Sequence, residues 1–535
     1  MRGLRHALMC VKGRAVRGLI LDSSTSRPAA TMKSELTFGV PRTHIRAIRS
    51  ALRRQGSTTT SIEDRYFDTE DRRLAKAGLA LRLCKADGFW EQTLKAAGDS
   101  ALARSGVTVS RPDPVGAKGR PGAPRLHFHA DVRAALRRAL GNRVATGEDL
   151  RLVHSSVISR HIVRITSGET RLEIAFDDGV IHAGRRSEPV HELRYELKQG
   201  SAQALVRFAR AGVVEHGVWL SMISKEIRGD RLSRGAGGAS PTSARPARLH
   251  RSMSGEEIFA DVIGACFDQI VANAVEIAWG SLDDEVIHQL RIGLRRVRTA
   301  SRELGVLHDK PWSGSTDAAC RRMFHALGEI RDRTTVAEAM QARLAAAGSP
   351  TPLLSRRGPA DKSLVELVRA SEFQCALLDM LAVSFGESND PARATAVDRR
   401  PGVGAARAVH RVDSLLEGLH HRLARDARNF TRLDPAARHG VRKRLKRLRY
   451  LAELVSPLYK SEATRRYLGR LGPAQEALGD CVDLDTALRF ARAAVDKGDH
   501  AAWFNVGWLT AQIPSSVERC PKRLRAAARA KPFWH

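Results

Sequence analysis

HQLRIGLRRVR, from His288 to Arg298, and HGVRKRLKRLR, from His439 to Arg449, are one helical motif written twice, 151 residues apart. Each copy places His first, Arg at +3, Lys or Arg at +7, and Arg at +8 and +10. Offsets 0, 3, 7 and 10 fall within about 80° of arc on a helix. His288, Arg291, Arg295 and Arg298 therefore line one stripe, and His439, Arg442, Lys446 and Arg449 form its copy. Leu290, Leu294 and Val297, like Val441, Leu445 and Leu448, lie roughly opposite and are suited to a core. Arg296, Arg447, Lys443 and Arg444 are expected to widen the cationic patch. So much like charge on one face repels itself unless a polyanion lies there. A second echo has the same spacing: Leu327-Gly328-Glu329 matches Leu478-Gly479-Asp480, and Asp332 matches Asp483. Two echoes at one offset indicate an internal duplication. The two aspartates are expected to pair with helix arginines.

The 535 residues are enough for two or three domains. A formal net charge of +31 again points to a polyanionic partner. Aromatic content of 5% argues against reading single-stranded nucleic acid by base stacking. The 7 cysteines are scattered without a CxxC pair, so neither a disulfide framework nor a zinc site is expected, and a reducing cytosol fits. No stretch approaches the roughly 20 apolar residues of a membrane span. Residues 1–31 are basic, with Asp22 as the only acid. The simplest reading makes them a disordered or wrongly assigned extension, with Met32 as the start.

Residues 32–232 read as α+β, and the Pro/Gly-rich run at 111–125 reads as a loop. Residues 233–252 have the composition of a flexible linker. Residues 253–535 read as helical, with a loop near 386–405 between the two copies. Within the first domain, charges alternate along strands. Glu192, Arg194, Glu196 and Lys198 share one face while Leu193, Tyr195 and Leu197 share the other. Glu173 and Asp177, Arg160 and Arg164, Arg82, and Lys95 with Glu91 and Thr93 repeat the pattern. Two architectures produce it: a sheet with its charged face in water, or a closed barrel with a charged interior.

The stretch from Tyr66 to Gly98, followed in order by FDDGVIHAG, HELRYELKQG and SKEIRGDRL, resembles the CYTH (triphosphate tunnel) domain. The duplicated helical half resembles the CHAD domain. The resemblance implies an α+β chain: an N-terminal eight-stranded antiparallel β-barrel, then an all-α duplicated helical bundle. It implies a tunnel whose phosphate-holding residues are Arg82, Lys95, Arg160, Arg164, Lys198, Lys225 and Arg228. The implied acids are Glu35, Glu173, Glu192 and Glu196, with Glu35, Glu192 and Glu196 around Mg²⁺ or Mn²⁺. For the helical half it implies binding of inorganic polyphosphate, and association with polyphosphate granules, through the two stripes. Protonation of His288 and His439 below about pH 6.5 is expected to strengthen that contact.

The departures from the family pattern bear on chemistry. Where the family opens Glu-x-Glu-x-Lys, this chain has Lys33-Ser34-Glu35-Leu36-Thr37, and Arg194 replaces the middle of three alternating glutamates. Cys84 stands where an arginine is usual, and the acids usual after Arg104 are missing. The tunnel thus gains about three positive charges over the pattern, each pairwise interaction being worth about 4 kcal/mol at 4 Å. Such a tunnel is expected to bind polyphosphate or tripolyphosphate with little or no hydrolysis. The alternatives are an active Mg²⁺- or Mn²⁺-dependent inorganic triphosphatase and a charge-driven nucleic-acid binder.

Overall fold

In the computed structural model, residues 35–97, 104–111, 130–146, 149–235, 241–308, 314–331, 337–353, 360–386 and 403–535 are described. The expected N-terminal extension and the loops at 112–125 and 387–402 lie outside them. The chain divides at residues 239/240 into two compact units.

The charge alternation of the first unit becomes an antiparallel sheet. Its strands are β1 (Glu35–Gly39), β2 (Thr58–Asp68), β3 (Leu79–Ala86), β4 (Phe89–Ala97), β5 (Arg104–Arg111), β6 (Arg151–Ser167), β7 (Thr170–Ala183), β8 (Arg186–Gln199) and the two-residue β9 (Trp219–Leu220). Their order is β5-β4-β3-β2-β6-β7-β8-β1-β9. Eight antiparallel strands were expected, and eight of substantial length are present. Among the described residues no ladder joins β5 to β9, so closure does not come from a described strand pair.

Helices cover the apolar face: α1 (Ile45–Arg54), α2 (Arg73–Lys76), α3 (Ala130–Leu140), α4 (Asn142–Thr146) and α5 (Ala202–His216). Leu79, Leu81 and Leu94 of the sheet pack with Leu74, Val132, Leu136, Leu140 and Val144. Each such side chain contributes about 1.5–3 kcal/mol by leaving water. Ser201 caps α5 through Ala204 N–H, and Gly217 ends it at φ +59°. Gly212 of α5 faces the Tyr195 hydroxyl, which a Cβ there would meet at 2.1 Å. The last helix, α6 (Lys225–Arg234), packs on β6, β7 and β8. Its Leu232 joins Ile62, Cys84, Ile158, Ile181 and Val190 in an apolar cluster on the charged face.

The second unit is helical: α7 (Gly255–Ala278), α8 (Asp284–Leu304), α9 (Gly314–Arg331), α10 (Ala337–Ala346), α11 (Ala360–Arg369), α12 (Ser371–Ser384), α13 (Ala405–Asn429), α14 (Pro435–Val455), α15 (Ser461–Asp496) and α16 (Trp503–Ala528). The motif helices α8 and α14 both have 21 residues, begin after the aspartate caps Asp283 and Asp434, and end in a 3-10 turn. Each cap contributes about 0.5–2 kcal/mol. The helices α7, α8, α9 and α12 form one bundle and α13, α14, α15 and α16 the other, with α8 against α14 between them. Leu290, Leu294, Val297, Val441, Leu445 and Leu448 are buried there, as their spacing predicts.

Two expectations change. Residues 241–250 have linker composition, yet Thr242 exchanges two hydrogen bonds with the buried Asn273 of α7, and Ala247 and Leu249 are buried. Packing has overridden composition. Also, α7 is long and apolar enough by composition to cross a membrane, although most of its side chains are buried. It is the core helix of the first bundle.

Candidate functional site

Register sets the charged face of the first unit row by row. Glu35 of β1, Glu196 of β8, Glu173 of β7 and Arg164 of β6 are successive cross-strand neighbours. Two residues along comes Arg194, opposite Thr37 and Ala175. Two further, Gly39, Glu192, Asp177 and Arg160 line up. Adjacent carboxylates in one row repel unless cations intervene, and here the chain supplies them.

In the first row, Arg194 lies 3.9 Å from Glu35 and 3.8 Å from Glu173. Lys198 donates to Glu196 at 2.5 Å and lies 4.0 Å from Glu173. Arg164, mostly exposed, reaches Glu173 at 3.3 Å. The deeper row is tighter. Arg160 grips Asp177 with two nitrogens, at 2.6 and 2.7 Å. Lys225 of α6 bridges Asp177 at 2.8 Å and Glu192 at 2.7 Å. Arg228, 3% exposed, donates to Glu188 and Glu192, both at 2.7 Å, and to the Pro189 carbonyl. Burial alone would push the Asp177 carboxyl up, but Lys225 and Arg160 outweigh it and hold it well below the usual range. Burial likewise opposes the charge on Lys225, and Glu192 and Asp177 restore it, raising its pKa.

Arg82 lies 3.5 Å from Asp64, a buried carboxylate on the same face. The Lys95 side chain lies outside the described residues. Asp177 and Asp64 were missed as site residues. Asp177 stands four residues from Glu173 on the same strand face, a spacing visible in the sequence. What the sequence did not show is that α6 would deliver Lys225 to Asp177, and Arg228 to the neighbouring Glu192.

The expected metal trio is not brought together. Glu35 and Glu196 are direct cross-strand partners, but Glu192 lies four residues down β8, about 13 Å along the strand, and is taken by Lys225 and Arg228. Among the described residues no group of three or more His, Cys, Asp or Glu is placed to hold a metal ion. The carboxylates of the row Glu35–Glu196–Glu173 are held by Arg194, Lys198 and Arg164. This donor set does not fit a divalent cation as it stands, and no catalytic step follows through one.

In the second unit the stripe of α8 faces α9. The guanidinium groups of Arg291, Arg295 and Arg298 lie 5.0, 5.2 and 5.2 Å from the centre of one ring, Phe324. On α14, Arg442 reaches Asp483 at 3.4 Å, as expected, while Asp332 lies outside the described residues. Arg449 donates to Glu453 at 2.7 Å and Gln475 at 3.0 Å. The repeat glycines explain the fit: a Cβ on Gly328 would come 3.2 Å from the Arg291 guanidinium, and one on Gly479 would lie 3.8 Å from that of Arg442.

His288 and His439 are half-buried, each the fifth residue of its helix. Burial, with Lys443, Arg442 and Lys446 beside it, pushes the His439 imidazole below its ordinary value. Its protonation is shifted to more acidic pH than that of a free imidazole, by burial first and by the charge of the stripe second. The widening of the patch is also corrected. Arg296 is buried against Gln269, Arg447 reaches Glu303 at 3.1 Å, and Arg444 pairs with Asp426 at 2.6 Å. Of that group, Lys443 alone is exposed.

A sheet that turns its charged face inward beneath a helix, followed by a duplicated bundle with basic motif helices, defines a two-domain class. The family model of the CYTH domain matches residues 34–228, and that of the CHAD domain matches residues 261–492. The chain is a two-domain CYTH–CHAD protein. It is 29% identical over 166 residues to an inorganic triphosphatase from Haemophilus influenzae, a match covering 31% of this chain and 44% of that relative. The chain thus spans less than half the length of the curated relative it matches. Among solved structures it is similar to a CHAD domain from Ricinus communis (25% identity, 55% of this chain and 99% of that one, TM-score 0.42). It is also similar to a Hippeastrum protein described as having a dominant triphosphatase activity (15% identity, 38% and 97%, TM-score 0.27).

Proposed function

We propose that this protein binds inorganic triphosphate and polyphosphate, through the charged face of its CYTH unit and the motif helices of its CHAD unit, with little or no hydrolysis. The observation that carries the second half is Arg194, set between Glu35 and Glu173 where the family pattern has a glutamate. A guanidinium at that place neutralises the carboxylates and repels a divalent cation. The cations that would meet phosphate are Arg164, Arg194 and Arg82, whose contacts to carboxylates are long, together with Lys198, which holds Glu196 but stays partly exposed. Arginine suits paired contacts to phosphate oxygens, and lysine supplies a point charge. The buried network of Arg160, Asp177, Lys225, Glu192 and Arg228 holds α6 on the sheet. A cytosolic location, with attachment to polyphosphate granules, goes with this reading.

The test is orthophosphate release from tripolyphosphate with Mg²⁺ or Mn²⁺, from neutral to alkaline pH, beside a Glu196→Ala control and a polyphosphate-binding assay. Binding without release supports the proposal. Metal-dependent release that the control abolishes supports the second reading, an active inorganic triphosphatase, which the Haemophilus relative favours. Equal competition by duplex DNA, with a steep salt dependence, would instead indicate charge-driven nucleic-acid binding.

A further inference from the structure

The duplication is not symmetric in charge. Position +14 of the motif continues the stripe, since it falls inside the same arc. It is Arg302 in the first copy and Glu453 in the second. Position +36 is Phe324 in the first and Gln475 in the second. These two exchanges change what holds the +10 arginine. Arg449 is tied to Glu453 and Gln475 in the plane of its guanidinium. Arg298 instead lies beside the ring of Phe324.

A ring face attracts a guanidinium without consuming its in-plane N–H donors, which stay free to turn to phosphate. A carboxylate consumes both donors and charge. Burial, with Arg321 and Arg295 nearby, pulls the Arg298 pKa below its ordinary value, and Asp317 acts against them. Asp317 is itself engaged by Arg321 at 2.9 Å. Arg302 is largely exposed and shares Glu303 with Arg447.

We infer that the two repeats are specialised: an extended polyphosphate is gripped chiefly by the first repeat, along Arg295, Arg298 and Arg302 with Phe324 as the platform, while the second motif helix is partly neutralised by its own chain. This rests on the polyphosphate reading above. From Arg295 to Arg302 the stripe runs about 10 Å, so the ligand class is a linear polyanion of several phosphates and not a single phosphate group.

The experiment measures affinity of the full-length chain for polyphosphate of defined length, by fluorescence anisotropy at fixed ionic strength. Arg295→Ala with Arg298→Ala should weaken binding at least tenfold, and Lys446→Ala with Arg449→Ala less than threefold. Phe324→Gln, which gives the first repeat the second's residue, should weaken it about threefold, a loss of ~0.6 kcal/mol at RT ≈ 0.59. Glu453→Arg should tighten binding and does not depend on a variant that loses structure. Equal losses from the two double variants, or a Glu453→Arg chain that binds no better, overturn the specialisation while leaving polyphosphate binding intact. An unaltered chain that does not bind polyphosphate overturns the functional reading itself, and the specialisation with it.

Discussion

Arg194 sits 3.8 Å from Glu173, one strand away on the charged face, and that single neighbour relation turns a row of carboxylates into an ion-paired row. Glu35, Glu196 and Glu173 are adjacent through the ladder. Without a cation between them they would be a natural place to concentrate a divalent ion. With Arg194, Lys198 and Arg164 among them the charge is already balanced from within.

Arg194→Glu should therefore reverse the character of the row. The variant is expected to show metal-stimulated tripolyphosphate hydrolysis at least tenfold above the unaltered chain. Mg²⁺ or Mn²⁺ should raise its Tm and leave that of the unaltered protein nearly unchanged. Phosphate release and thermal unfolding, each with and without metal, check both halves.

Lys225 tests the deeper network. Replacing it with Met leaves Asp177 and Glu192, both buried, short of a partner. Breaking a buried pair from one side costs about 3–5 kcal/mol. Lys225 retains some exposure, so the low end of that range is expected in urea unfolding at neutral pH. Because Asp177 is held below its usual value, the stability it contributes is present above about pH 4 and is lost as pH falls below that. The gap between the variant and the unaltered chain should narrow on acidification.

His154 predicts an opposite origin for acid sensitivity. It stacks on Tyr66, with ring centroids 4.4 Å apart, and burial, aided by Arg72, pushes its pKa down to about 3. Between about pH 3 and 6.5 the unfolded chain carries a proton that the folded chain does not. Stability should then rise with pH through that window, by up to about 1.4 kcal/mol per unit, and level off above it. His154→Phe keeps the stack and should reduce the slope by about one proton. Urea midpoints from pH 4.5 to 7.5 measure it.

The repeat glycines separate stability from binding. Gly479→Ala adds a methyl at ordinary contact distance and should stabilise α15 by about 0.5–1 kcal/mol. Gly328→Ala brings a methyl to 3.2 Å from the Arg291 guanidinium. It should displace that group and weaken polyphosphate binding severalfold. Denaturation and binding curves for the two variants make the comparison.

The sequence by itself determined the elements and their faces. Alternation of charge in HELRYELKQG specified β8 and the side chains it turns inward, because a strand has only two faces. Helical spacing specified the stripes and buried faces of α8 and α14, and the common offset specified that the bundles are copies. Tertiary structure decided which opposite charges meet. Nothing local to Asp177 indicates Lys225, 48 positions later, since that contact exists only once α6 packs across β7 and β8. Nothing local to Arg296 indicates that it bonds Gln269 in the core while Arg298, two positions on, lies beside Phe324. Periodicity fixes direction from a chain axis, but the partner in that direction is set by packing between distant elements, and with it whether a cation is free to take a phosphate or is already neutralised.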